Sequence, residues 1–330
     1  MNIETNINEI DRTCWQELIA NSSTATWFQT PEAYDFFAQQ PDLFKPFVVA
    51  IPCRAYCVGY ITQEHNPIKQ FATRRAIIIG GPALADDCTA DEVHCLLNGV
   101  VQLIHKEAIY IETRNFNDYS QWKDGFSSAG FEYVVHLNYH LDCSQEDMLL
   151  KNMHESRRRQ VKKGLKSGAI IEEAISEQDV KDYYQLLLHL YKTKVKTPLF
   201  PEQFFLEFYR KQYGKYLLVK YNGRVIGGIM SPILPSKVIY EWFVCGQDEQ
   251  NKEQYPSVLA TYAAMLYGAQ HGLARFDFMG AGKPGDGYGV RVFKERFGGK
   301  QVEHGRYICV LKPLMYWCGT IGVKMLKKIK

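Results

Sequence analysis

The chain has 330 residues, 46% of them hydrophobic and 23% charged, the make-up of a soluble globular protein with room for two cores. Its formal charge of +3 is too small to require a nucleic-acid partner, so any polyanion must be met by a local patch. The N-terminal MNIETNINEIDRTCWQ has neither a basic nor an apolar region of the secretory kind, which predicts a cytoplasmic chain.

In chain order, Thr30-Pro31-Glu32 opens a helix with proline where a missing N–H costs nothing. KPFVVAIP, RAYCVGYITQ and RRAIIIGGPAL read as three strands, rich in β-branched and aromatic residues. TADEVHCLLNGVVQLIHK is an amphipathic helix behind a threonine cap, and AIYIETRN is the next strand. DYSQWKDGFSSAG predicts a helix closed by Gly130, and FEYVVHLNYHLD one long strand. His136 and His140 share a face of it and read as structural.

The second half opens with a single long cationic helix, SQEDMLLKNMHESRRRQVKKGLKSG, weakly capped by Ser144. Its apolar ladder of Leu150, Met153, Val161 and Leu165 is interrupted by Arg157, so one arginine of the 157–159 triplet must point inward or into a cleft. A strand, AIIEEAI, and two helices follow, then the hairpin YLLVKY-NG-RVIGGIM with its Asn-Gly turn. KVIYEWFVCG is a further strand. Residues 254–274 carry no charge, but Pro256, Gln270 and His271 leave about 15 helical residues, short of the roughly 20 a bilayer span needs. A buried helix is expected there, followed by the strand ARFDFMGA. Last come a short helix, GVRVFKERF, stopped by Gly298-Gly299, and a final strand. In that helix Val290, Phe293 and Phe297 form an apolar ridge beside Arg291 and Lys294.

The nine cysteines are odd in number and include no Cys-x-x-Cys pair, so reduced, mostly buried thiols are expected rather than disulfides. His94-Cys95 and the Cys53/Cys57 pair have no second motif at zinc-like spacing, and no metal site is expected. The two halves repeat one order of elements, which predicts an α/β chain of two mixed domains: 1–142, 143–312 carrying the site, and a C-terminal helix, 313–330, packing back on the first.

A meander, then strand, helix and strand with a cleft where neighbouring strands splay, resembles the Gcn5-related N-acetyltransferase (GNAT) fold. Two such units in tandem resemble the FemAB family, peptidyltransferases that add amino acids to peptidoglycan precursors from aminoacyl-tRNA. The similarity rests on RRAIIIGGPAL, on SQEDMLLKNMHESRRRQVKKGLKSGAIIEE, and above all on GLARFDFMGAG with YGVRVFKERFGG. BioF-like acetyltransferases share that closing motif. Phe276 stands where tyrosine is common, and the coiled-coil insertion of glycine-bridge enzymes is missing.

The resemblance implies an acyl- or aminoacyltransferase acting on an amine of a cell-envelope precursor, peptidoglycan or polysaccharide. An N-acyltransferase using coenzyme A or acyl carrier protein on an amino sugar is the alternative, and a catalytically degenerate glycan-precursor-binding protein a third. Acyl transfer develops an oxyanion that needs a fixed positive charge. The resemblance gives Lys294 that role, with Arg291 and Phe293 beside it. Glu241 is the nearest candidate for a general base, and Asp277 reads as structural. Tyr240 and Trp242, alternating around Glu241, are candidates to wall the acyl pocket. Arg158 and Lys162 are candidates to hold the diphosphate of a sugar-nucleotide or lipid-linked precursor. DEQNKEQYPSVLA, before the buried helix, has no glycine for a coenzyme A pyrophosphate loop, which argues against ordinary coenzyme A binding there. The donor stays open between aminoacyl-tRNA and acyl-coenzyme A. The C-terminal helix carries a stripe of Leu314, Trp317, Ile321, Met325 and Ile329 with Lys324, Lys327, Lys328 and Lys330. Packing against the first domain is expected of it; peripheral contact with the inner face of a membrane is the sharper expectation.

Overall fold

Alternating buried strands and amphipathic helices build two mixed α/β units in a computed structural model that describes residues 1–63, 73–285 and 289–329, with side chains as far as Ile321. Tyr288 of the closing motif, Lys330, and the side chains of Lys324, Met325, Lys327, Lys328 and Ile329 lie outside the described residues.

The first unit comprises residues 1–136 and 304–330. Its seven-stranded sheet runs β1 (Phe44–Ile51), β2 (Ala55–Thr62), β3 (Ala76–Gly80), β5 (Tyr110–Asn115), β15 (Arg306–Val310) and β6 (Glu132–Val134), with β4 (Ala83–Leu84) paired to β2. Among these pairings β3–β5 alone is parallel. A parallel pair needs a crossover, and helix α3 (Ala90–Ile104) supplies it, capped by a Thr89–Glu92 box. Ahead of the sheet stand α1 (Arg12–Asn21) and α2 (Pro31–Ala38); α4 (Lys123–Ser128) follows β5.

The second unit, residues 137–303, repeats this plan. Its eight-stranded sheet runs β14 (Lys300–Val302), β7 (Asn138–Asp142), β13 (Arg275–Asp277), β11 (Val238–Tyr240), β10 (Arg224–Leu234), β9 (Gly214–Tyr221) and β8 (Ile170–Glu173), with β12 (Phe243–Gly246) paired to β10. Here β11–β13 is the parallel pair, and the crossover is α9 (Pro256–Gln270), buried on nearly all sides as its uncharged sequence predicts. Before the hairpin come α5 (Glu146–Asn152), α6 (Glu155–Lys166), α7 (Glu177–Leu190) and α8 (Glu202–Arg210); α10 (Gly289–Glu295) follows β13.

Several expectations are corrected. The run 131–142 is two strands, because β6 pairs β15 in the first sheet while β7 pairs β13 and β14 in the second. The closing run likewise divides into β14 and β15, parted at Gly305 with its φ of 62°. The units therefore divide at 136/137 and 303/304, not at 142 and 312. The long cationic helix is broken at Met153–His154: Met153 is extended, the His154 ring accepts from Ser156 N, and the His154 backbone N–H donates to Arg296 O at 3.0 Å. The C-terminal turn of α10 seats on that break, where a Cβ on Gly298 would lie 2.2 Å from Asn152 O. Finally, Cys14 and Cys53 form a disulfide between α1 and the β1–β2 turn, their Cα atoms 5.1 Å apart and so within bridging range. The spacing of the cysteines in sequence carries no trace of that proximity.

Candidate active site

The site forms where the second sheet's parallel pair ends. Ile233 faces Ile239 and Met230 faces Phe243, so the β11–β12 side has one residue more than β10 between those pairings. That extra residue is a bulge, and Glu241 and Trp242 sit in it. Backbone pairing with β13 ends beside it, where Glu241 N donates to Asp277 O at 2.9 Å. The bulge breaks the alternation expected of Tyr240, Glu241 and Trp242. Tyr240 is fully buried, and Trp242 packs among Phe204, Phe208 and Phe243. Aromatic packing, rather than a pocket wall, is what the described contacts of Trp242 make.

Glu241 is 5% exposed. Its Oε1 lies 2.9 Å from Lys294 Nζ, and its Oε2 accepts from Thr261 Oγ1 at 3.2 Å. Thr261 is a polar side chain midway along the otherwise apolar α9 and is wholly buried. Burial pushes the Glu241 carboxyl above its ordinary range, against the pull of Lys294 and Thr261.

Lys294 is 9% exposed, not the surface lysine its short amphipathic helix implies. Besides Glu241, its ammonium donates to Phe278 O at 2.6 Å and Gly280 O at 3.0 Å. Three protons thus meet three acceptors. Phe297, fully buried, anchors the helix against Phe278, while Val290, expected on the same ridge, is 42% exposed.

The carbonyl cage is held by a second polar group. Asp277 Oδ1 accepts from Met279 N at 2.7 Å and Asn138 Nδ2 at 2.8 Å, and Oδ2 lies 3.0 Å from His140 Nε2. Asn138 Oδ1 in turn accepts from Gly280 N at 2.7 Å. These bonds fix the turn 277–280, in which Met279 adopts a positive φ of 57°. Burial alone would raise the Asp277 pKa, but His140, Arg275 and Asn138 together hold it below the ordinary value. A depressed folded pKa gives stability that is present above the unfolded pKa and lost as pH falls through the folded one. The wild type should therefore lose stability below about pH 4, and Asp277→Asn should flatten that acid limb while costing about 3 kcal/mol at neutral pH. Chemical unfolding across that range checks this; parallel acid limbs would refute it.

Arg291 donates through Nε to Ala281 O at 3.0 Å and through Nη2 to Lys283 O, so it braces the loop that follows the cage. Phe293 is used structurally too: the Arg157 guanidinium lies over its ring and over that of Phe297, 4.3 and 4.6 Å from their centroids, and the two rings meet edge-to-face. Arg157, 4% exposed, is the inward member of the triplet, on a face with Met153, Val161 and Gly164; Leu165, expected there, is 41% exposed. Arg158 and Lys162 instead line an open depression on α6 with Glu155, Arg159, Lys163 and Lys166. The structure thus groups Lys294, Glu241, Arg291 and Phe293 around one turn, and leaves Arg158 and Lys162 on a separate basic face. Sequence reasoning missed Thr261, Asn138, His140 and the inward Arg157 as neighbours of the cage. A lone threonine inside an apolar helix and the ladder interrupted at Arg157 were the readable signs.

At the N-terminus of α9, Asp248 accepts from Ser257 N at 3.1 Å and from Ser257 Oγ, and Pro256 contributes no N–H. A carboxylate thus stands where a pyrophosphate would approach a helix N-terminus. Among the described residues no group of three or more His, Cys, Asp or Glu side chains is placed to hold a metal ion.

Residues 151–294 match the model of the acetyltransferase (GNAT) domain. The match begins in α5 and ends on Lys294, and it makes the second unit an acyltransferase domain. Over the whole chain the fold is that of FemX, at 13% identity and a TM-score of 0.74, covering 96% of this chain and 99% of that one. The chain has a FemAB-like tandem GNAT fold. Two other solved structures share it. The C-terminal domain of a putative lysylphosphatidylglycerol synthetase from Agrobacterium fabrum has 11% identity and a TM-score of 0.61, with 96% and 95% of the two chains covered. A tandem GNAT protein from the clavulanic acid biosynthesis pathway has 10% identity and a TM-score of 0.56, with 94% and 99% covered. At such identities the likeness is one of fold. No curated protein matches the sequence significantly.

Proposed function

We propose that this acyltransferase joins an aminoacyl group, carried on tRNA, to an amine of a cell-envelope precursor that bears a sugar-nucleotide or lipid-linked diphosphate. The observation that carries the reading is the buried Lys294 ammonium, held at the end of the parallel pair by Glu241 and two carbonyls. A neutral acceptor amine attacks the acyl carbonyl, and the new bond leaves an oxyanion and a protonated nitrogen. Glu241, with its raised pKa, takes that proton. Protonation weakens its hold on Lys294, whose freed N–H turns to the oxyanion. Collapse expels the ribose oxygen of the donor, which receives the proton from Glu241. The peptide bond forms and the ester bond breaks with no net change in protons.

Asp248 supports a donor other than coenzyme A, since its carboxylate already caps α9 and would repel a pyrophosphate. The acid-capped α3 of the first unit, with Asp91 and Glu92 in its first turn, offers a pyrophosphate no better place. Arg158 and Lys162, which form no ion pair among the described residues, are the proposed contacts for the precursor's diphosphate.

The test incubates the protein with a uridine diphosphate-linked muropeptide and either a radiolabelled pool of charged tRNAs or labelled acetyl-coenzyme A. Label should pass to the muropeptide from tRNA alone. Arg158→Ala and Lys162→Ala should weaken binding of the diphosphate-linked muropeptide more than that of the free one. Transfer from acetyl-coenzyme A would replace the donor assignment. Transfer from neither, with tight binding of the precursor, would make the chain a binding protein.

A further inference from the structure

The first unit ends in a helix, α11 (Pro313–Ile329), whose first turns turn large apolar side chains outward. Leu314 and Trp317, three apart, are 75% and 61% exposed. What seats the helix is a different face: the Tyr316 ring meets Tyr110 edge-on with centroids 5.1 Å apart, and Lys312, just before it, donates to Lys106 O. The stripe that its spacing marks for packing is therefore turned to solvent at its first two positions.

Single exposed apolar residues are ordinary. Here they coincide with a one-signed segment. The chain carries 39 basic and 36 acidic residues, yet from His304 to Lys330 there are six basic residues and no acidic one. Lys324, Lys327 and Lys328 follow in the sequence at i, i+3 and i+4. An exposed Leu–Trp pair followed by three lysines on one helix suits a surface that is apolar within and anionic at its rim. Neither a nucleic acid, which has no use for Leu314, nor a second copy, which would set lysines against lysines, matches both features.

We propose that α11 is a docking element for an anionic phospholipid surface. Leu314 and Trp317 enter the boundary between headgroups and acyl chains, and the lysines meet lipid phosphates. No helix among the described residues is long and apolar enough to cross a membrane, so the contact is peripheral. This inference does not depend on the donor or acceptor assigned to the second unit.

The full chain is mixed with vesicles of phosphatidylcholine alone, or with about one-third phosphatidylglycerol, at low and high salt, and bound protein is measured by flotation. Binding should need the anionic lipid and fall with salt, each lysine contributing roughly fivefold in affinity. Leu314→Ser/Trp317→Ser should lower partitioning by about tenfold or more, and Lys324→Ser/Lys327→Ser/Lys328→Ser should remove most of its salt dependence. Both variants leave the Tyr316–Tyr110 contact alone, and unchanged circular dichroism and melting show that the fold survives. No binding at low salt, binding equal to wild type in both variants, or equal binding to phosphatidylcholine alone would each overturn the proposal. Self-association that the serine pair abolishes, with no vesicle binding, would assign the face to a second copy instead.

Discussion

Replacing Lys294 with alanine should abolish transfer and also weaken the second unit, two effects that a surface lysine would not combine. Its ammonium balances a carboxylate that is 5% exposed, so removing it leaves Glu241 buried with only Thr261 as partner. Breaking a buried pair in this way costs about 3–5 kcal/mol. The cost is smaller at low pH, because Glu241 already has a raised pKa and becomes neutral there. Stability of the variant should accordingly fall as pH rises, the sign for a carboxyl whose folded pKa lies above its unfolded one. The double variant Lys294→Met/Glu241→Gln separates structure from chemistry. It keeps the volume and removes both charges, and should recover most of the lost stability while transfer stays at least about a hundredfold down. Urea unfolding across pH, beside single-turnover transfer, reads both. Recovery of transfer along with stability would reduce the pair to a structural bridge.

The sequence announces the elements of this site better than their contacts. The tandem plan was readable because the two halves repeat the order of meander, crossover helix and closing strand. The uncharged run 254–274 was readable as a buried helix for the same reason: pattern is local. The division of the strands was not. Residues 131–142 are apolar on both sides of His136, and nothing in that run says that β6 and β7 join different sheets. Lys294 was readable by motif as the charge at the site, but its burial was not, because a seven-residue helix shows no inside until its partner carbonyls are known. Those carbonyls, of Phe278 and Gly280, depend on the Asp277 and Asn138 side chains, 139 residues apart in sequence. The basic triplet at 157–159 shows the limit in one place. The interrupted ladder requires one arginine to turn inward, but which one is decided by the break at His154, and that break depends on the docking of Gly298 against Asn152.

The inward arginine gives the second large expected effect. Arg157 has no ion pair among the described residues, and its Nε has no acceptor there. Burial first, and the nearby Arg296 second, push its pKa down to about 10, so its charge is costly where it stands. What holds it is contact with the Phe293 and Phe297 rings, which meet each other edge-to-face beside it, and the bonds from Nη2 to Phe293 O at 3.1 Å and Nη1 to Gln160 at 2.8 Å. Phe293 O belongs to the residue before Lys294, so Arg157 ties α6 to the turn that carries the buried ammonium. Arg157→Ala removes a buried side chain packed over two rings and one anchor of that turn, a loss of about 2–4 kcal/mol. Arg157→Met keeps most of the volume and sheds the unpaired charge, and should be nearer to neutral in stability. Neither methionine nor alanine can hold Phe293 O. Amide exchange across residues 289–299 should therefore quicken in both variants, by about tenfold or more, with a larger change in alanine. Transfer by Arg157→Met should fall even though its unfolding midpoint is near that of the wild type, and Arg157→Lys should restore little, because an ammonium has no planar group to lay over the two rings and fewer donors to share between Phe293 O and Gln160. Wild-type exchange and wild-type transfer in Arg157→Met would show that the site needs only the bulk of this side chain.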